Sequence, residues 1–283
     1  MAWERCAADL TTTVLTTSSW KDGQNRLRIV ADGCAADNPW TSARRSRRIA
    51  MKSWLRLVAG LAALSALPKD SFAADAAHPT VVELFQSQGC SDCPPAVANV
   101  ASISDRPDVL ALVFSVDYWD RLGWKDTFSK PEWTARQYAY AHAIGRDGVY
   151  TPQVIINGRI GGTGLDANEL AGLMRSAERG DGGPSVNFTA GAVALGAAVW
   201  PVGGADVWLV RYDPRVIEVV IKRGENAGKT LPHKNVVREM ILLGHWRGEA
   251  ATFPLPIGGD PELAEAAIVQ TAGAGPVLAA ARQ

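Results

Sequence analysis

Cysteine and histidine are scarce in this sequence, four of each among 283 residues, and net charge is absent altogether. Each scarcity excludes something. A chain of balanced charge offers no field to gather a polyanion, so nucleic acid is set aside as a partner. The balance hides an asymmetry: residues 1–74 carry 11 Lys and Arg against 6 Asp and Glu, and residues 75–283 carry 18 against 23. The larger part is thus mildly acidic, which argues the same way. No apolar run reaches the roughly 20 residues that a spanning helix needs, so no membrane insertion is expected after export. A phosphate loop is missing as well. Gly228-Lys229-Thr230 has the right end, but Arg223 stands where the first glycine belongs.

What is present is ordinary globular composition, 47% hydrophobic and 20% charged, long enough for one or two domains. From Met51 the chain reads MKSWLRLVAGLAALSALPKDSFAADA, with two basic residues, an apolar run from Leu57 to Leu67 and small residues around Ala73 and Ala74. This is the pattern of a secretory signal peptide over residues 51–74. Residues 1–50 ahead of it fit a start assigned too early, with Met51 as the true start. A second reading takes Ser46-Arg47-Arg48-Ile49-Ala50-Met51-Lys52 as a twin-arginine export signal. Both place the mature chain outside the cytoplasm, periplasmic or secreted.

Export leaves Cys90 and Cys93, in GCSDCPPA, as the working cysteines. A bridge enclosing two residues ties no distant parts together, so a disulfide scaffold is excluded. A zinc site normally takes four ligands, and His142, His233 and His245 stand singly, so neither a metal nor another cofactor is expected. A redox dithiol remains the leading reading, with delivery of copper or zinc as a lesser one.

Around the pair the sequence alternates. Thr80 to Phe85 and the nearly continuous apolar run Val109 to Val116 read as strands, the second buried on both faces. Ala96 to Ser104 reads as a helix beginning at or after Pro94, because a proline turns its predecessor Cys93 toward extended geometry. Pro131 opens a second helix through about Ile144. VYTPQVIINGR reads as a strand with an Asn157-Gly158 turn, and Asp166 caps a third helix, Ala167 to Glu178. The order β-α-β-α-β-β-α, with the cysteines between the first strand and first helix, predicts an α/β thioredoxin-like domain over residues 75–183, a central mixed sheet with flanking helices. Thr151-Pro152 heads the third strand, where such proteins carry a cis-proline facing the dithiol. Beyond the glycine-rich stretch at 180–184, short strands between turns predict a small all-β sandwich-like domain, 184–283. The segment from Arg223 to His233 reads as a polar hairpin loop.

The strings VVELFQSQGCSDCPPA, SVDYWDRLGWKDTFSKPEWTARQYAYA and VYTPQVIINGR resemble a secreted bacterial thioredoxin-like family catalogued as domain of unknown function 1223. The resemblance runs from about Val81 to the C-terminus and implies an exported thioredoxin-like fold without an established activity. Ser115 departs from the pattern, which is expected to carry His before Val-Asp-Tyr-Trp, and a serine does not relay a proton as an imidazole does.

The expected chemistry is thiol–disulfide exchange with a protein or small-thiol disulfide, the redox partner being unspecified. Cys90 is the exposed nucleophile and Cys93 the resolving thiol. Amides of Ser91, Asp92 and Cys93 are the available donors, since Pro94 and Pro95 have none. The Asp92 charge opposes thiolate formation, so Cys90 is not expected below about 5. Glu83 is the candidate for moving the resolving proton, against the alternative of a solvent-facing strand residue. Tyr118, Trp119 and Trp124 are read either as a wall for substrate beside Thr151 and Pro152 or as packing for a long loop. A non-catalytic binding or accessory protein on the same fold is the alternative to the enzyme.

Overall fold

The computed structural model describes residues 74–180 and 182–283. The expected extension, and all of the expected signal peptide but Ala74, lie outside the described residues. Two strands organise the rest. β1 (Thr80–Gln86) and β2 (Val109–Ser115) are buried at every position and lie parallel, Val81 opposite Leu110 and Phe85 opposite Phe114. Strands with apolar side chains on both faces must be covered on both, and they are. One face carries α1 (Cys93–Ile103) and α3 (Ala167–Ser176), through Val82, Leu84, Val97, Val100 and Leu170. The other carries α2 (Pro131–Ala143), through Val81, Phe85, Phe114, Trp133 and Tyr140.

Local chemistry sets the element ends. Asp166 caps α3 by accepting from the amides of Asn168 and Glu169, at 2.8 and 2.9 Å. β3 (Gln153–Ile156) runs antiparallel to β1 and turns into β4 (Ile160–Gly162) through Asn157 and Gly158, φ 49° and 63°. Residues 157–159 join the strands, and the Arg159 amide donates to the Ile156 carbonyl at 2.9 Å, closing a tight turn whose two central residues are both left-handed. α1 begins one residue earlier than expected, at Cys93, with both prolines in its first turn. First-turn prolines forfeit no intrahelical bond.

The second half differs more. β7 (Ala205–Asp213), β10 (Val236–Trp246), β12 (Ala264–Thr271) and β13 (Val277–Arg282) do not form a separate sheet. They continue the first one, giving eight strands in the order β13-β12-β7-β10-β2-β1-β3-β4. The seam is short. Val236 pairs in parallel with Val113, the Val113 amide donates to the Asn235 carbonyl at 2.9 Å, and Asn235 Nδ2 donates to the Ala111 carbonyl at 2.9 Å. β5 (Val186–Thr189), β6 (Ala192–Leu195) and β11 (Ala251–Pro254) form a three-stranded sheet packed on the outer strands through Val193, Leu195, Val207, Trp246 and Phe253. The expected boundary at 184 is therefore a change of element type, not an independent all-β domain. Without β10, β2 would present an open apolar edge.

β8 (Ile217–Val220) and β9 (Thr230–His233) form a separate hairpin. β9 falls where a loop was expected. Its sequence, TLPH, is short and contains proline, a poor strand signal. Among the described residues no helix is long and apolar enough to cross a membrane.

A dithiol under a hairpin

β1 ends at Gln86, and Ser87 to Asp92 carry the chain over its tip into α1. Cys93 is the first helical residue, so its sulfur and that of Cys90 lie at the end of the helix that carries unpaired amides. Both are free thiols. The Thr151–Pro152 peptide bond is cis, and Cys90 Sγ donates to the Thr151 carbonyl at 3.7 Å. The structure thus brings Cys90, Cys93, Thr151 and Pro152 together.

The two sulfurs are electrostatically unequal. A hydrogen bond from Cys93 draws the Cys90 thiol down to about 7, aided by Thr151 and by the amides of Asp92 and Cys93, and opposed by burial. Cys93 moves the other way: burial raises it most, and the hydrogen bond and charge of Cys90 add to that. Cys90 is therefore the thiolate of the pair and Cys93 the proton carrier. Ser91, counted among the donors to sulfur, is otherwise engaged, its amide donating to Glu225 Oε2 at 3.0 Å.

Cys90 departs from the expected exposure: it is only 2% accessible. The loop between β8 and β9 reaches this turn, as do Thr151 and Trp119. Asn226, fully buried, donates from Nδ2 to the carbonyls of Gln88 and Cys90, at 3.0 and 2.8 Å. Two residues 136 positions apart hold one turn, which no local pattern announces.

The aromatic loop reaches the same place. Trp119 Nε1 donates to Thr151 Oγ1 at 2.8 Å, and Trp124 Nε1 donates to Gln88 Oε1 at 3.0 Å. Tyr118 bonds Gln137 Oε1 through its hydroxyl at 3.3 Å, and burial raises its phenol, with both thiols contributing in the same direction. Each ring is half-buried and packs the loop, Tyr118 and Trp119 beside the dithiol and Trp124 against Gln88, two residues before Cys90. Asp126 anchors the arrangement by accepting from the amides of Gln88 and Phe128, at 2.7 and 2.8 Å. Burial lifts its carboxyl to about 6. Ser115, in place of the expected histidine, accepts from Gln86 Nε2 at 2.7 Å beneath the loop.

Glu83 does not belong to this group. It points to the α2 face of the sheet with Val81 and Phe85, whereas α1 covers the other face. Arg136 takes both its oxygens, Nε to Oε2 at 2.6 Å and Nη2 to Oε1 at 2.8 Å, and the Tyr140 hydroxyl donates to Oε1 at 2.5 Å. The alternation of β1 decides this: odd-numbered residues share one face, and the helix start lies over the other. Gln88, Asp126, Asn226 and His233 are the residues that sequence reasoning missed. Only Gln88, two residues before Cys90, carried any positional hint.

Among known proteins, no match was found with curated ones. A solved structure of protein AGR_C_4864 from Agrobacterium tumefaciens is 32% identical, covers 72% of this chain and 92% of its own, and superposes with a TM-score of 0.62. HBP35 of Porphyromonas gingivalis is 12% identical over 73% of this chain and 74% of its own, with a TM-score of 0.50, a likeness of fold alone. A family model described as protein of unknown function DUF1223 matches residues 81–270, from the first strand to the last residues of β12, and the chain belongs to that family.

Proposed function

We propose that this chain is an exported thiol–disulfide oxidoreductase, with β1 through α3 as a thioredoxin-like unit and Cys90 and Cys93 as its dithiol. The parallel β1–β2 pair, the antiparallel β3 and β4 and the cis-proline opposite the cysteines support that reading of the fold. The secretory pattern at 51–74 supports an oxidising compartment, where disulfide substrates occur. The observation that carries the activity is the placement of the C-x-x-C pair at the start of α1 with the Thr151 carbonyl 3.7 Å from Cys90 Sγ, and the opposite displacement of the two thiols agrees with it. Cys90, near 7, is substantially ionised at neutral pH, while Cys93 keeps its proton until needed.

In the reducing direction, the Cys90 thiolate attacks one sulfur of a disulfide and expels the other as a thiolate. The Cys93 thiol loses its proton and attacks Cys90, forming the intramolecular disulfide and releasing the second substrate thiol. Two electrons pass from dithiol to substrate. Trp119 fixes Thr151, whose carbonyl faces the reacting sulfur. A protein or small-thiol disulfide is the substrate class.

Equilibrating the purified chain in glutathione buffers of graded potential, with alkylation and mass analysis, tests this. A reversible two-electron transition confined to Cys90 and Cys93, lost in Cys90→Ser, is the expected outcome. Thiols that stay unexchanged at every potential refute it. That result would instead favour a binding or accessory role, the reading supported by the 2% accessibility of Cys90.

A further inference from the structure

We propose that His233 is the proton acceptor for the Cys93 thiol during resolution, acting across a cavity that the two side chains share. The inference deepens the exchange reaction above and rests on it. The cavity, about 40 Å³, is bounded by Gln86, Ser87, Cys93, Pro94, Leu231 and His233, among others. Its walls are mostly apolar, with the Cys93 thiol and the His233 ring among the few polar groups that line it, and it has room for a single water between them. His233 is 1% exposed, and among the described residues neither ring nitrogen has a hydrogen-bond partner. Buried polar atoms are nearly always bonded, so two idle nitrogens on one imidazole call for an explanation. A ring kept free to receive a proton supplies one.

The surroundings keep the ring oriented and neutral. Phe128 meets it edge to face at 5.5 Å, which fixes its plane. Burial alone lowers its pKa to about 4, so at neutral pH it is uncharged and carries an acceptor lone pair. Other titratable or charged groups on the neighbouring elements are Cys90, Asp126, Glu218 on β8 and Arg238 over the Phe128 ring. Glu83, the earlier candidate for this task, is on the opposite face of the sheet with both oxygens bonded.

The step balances. Cys90 is linked to the substrate sulfur as a mixed disulfide. The proton on Cys93 Sγ moves through one water to a ring nitrogen of His233. The Cys93 thiolate attacks Cys90 Sγ, the Cys90–substrate bond breaks, and the substrate leaves as a thiolate. The imidazolium returns its proton through the same water to the departing sulfur.

Stopped-flow reaction of the reduced full chain with dithionitrobenzoate separates the two attacks, because each releases one coloured thionitrobenzoate. In His233→Asn and His233→Phe the first release keeps its wild-type rate. The second slows by about 100-fold or more, the lower range for loss of a general base. In wild type the second phase changes little between about pH 6 and 8. In the variants it rises about tenfold per unit, since hydroxide alone then removes the proton. Glu83→Gln leaves the second phase unchanged. An unaltered second phase in the folded Asn variant, or equal slowing of both phases with the wild-type pH profile, overturns the role of His233 alone. Absence of the first phase in wild type overturns the exchange reaction and this inference together.

Discussion

Two buried groups beside the dithiol titrate against each other. Asp126 has its carboxyl raised to about 6, so between about pH 4 and 6 the folded chain holds a proton that the unfolded chain has lost. Its contribution makes stability fall as pH rises through that window. His233 has its pKa lowered to about 4, so between about pH 4 and 6.5 the unfolded chain binds the proton and the folded chain does not. Its contribution makes stability rise with pH. Each is worth up to about 3 kcal/mol, at 1.4 kcal/mol per unit of displacement, and they oppose. Urea unfolding from pH 4 to 7 should expose one when the other is removed. Asp126→Asn gives a stability that climbs with pH, and His233→Phe one that declines. Parallel curves for both variants would contradict the assignment. Neither residue was legible as special: an aspartate in a polar loop and a lone histidine are common, and burial gives them these properties.

At the scale of elements, the ion pair of Glu83 and Arg136 joins β1 to α2, and Gln270 joins β12 to the same cluster through Arg136 and Tyr140. Both charged partners are nearly excluded from water, at 1% and 9% side-chain exposure. Removing one charge strands the other. Glu83→Gln is expected to cost about 3–5 kcal/mol in denaturant unfolding while Cys90 keeps its reactivity toward iodoacetamide. A stable protein with slowed thiol chemistry would restore the catalytic assignment of Glu83. The sequence did announce most elements here. VLALVFS has no polar face, Pro131 starts a helix, and Asn157-Gly158 turns a hairpin, because each rule depends only on neighbouring residues. β9 escaped because four residues including a proline stand as a strand only with β8 alongside.

At the scale of the molecule, one sheet carries both halves of the described chain. The apolar cluster under α2 includes Phe85, Phe114 and Trp133 from the first half and Tyr212, Val237, Ile268 and Val277 from the second. A fragment ending near residue 183 would bare the β2 edge and half of that core. It is expected to aggregate or remain unfolded, with poor amide dispersion by NMR, where an independent domain would give a folded monomer. Such a folded monomer would reinstate the boundary at 184. The fragment would also lack Asn226 and His233, and with them the cover over the cysteines.

Sequence alone determined what depends on short range: the strands and helices around the cysteines, the spacing of the two sulfurs, the proline at the head of β3 and the family. Tertiary structure alone decided which side of the sheet Glu83 occupies, that β10 lies against β2, and that a hairpin more than 130 residues downstream closes over Cys90. The division has a physical reason. Backbone propensity and side-chain alternation act over a few residues, whereas burial and hydrogen bonding between distant segments exist only once the chain has packed.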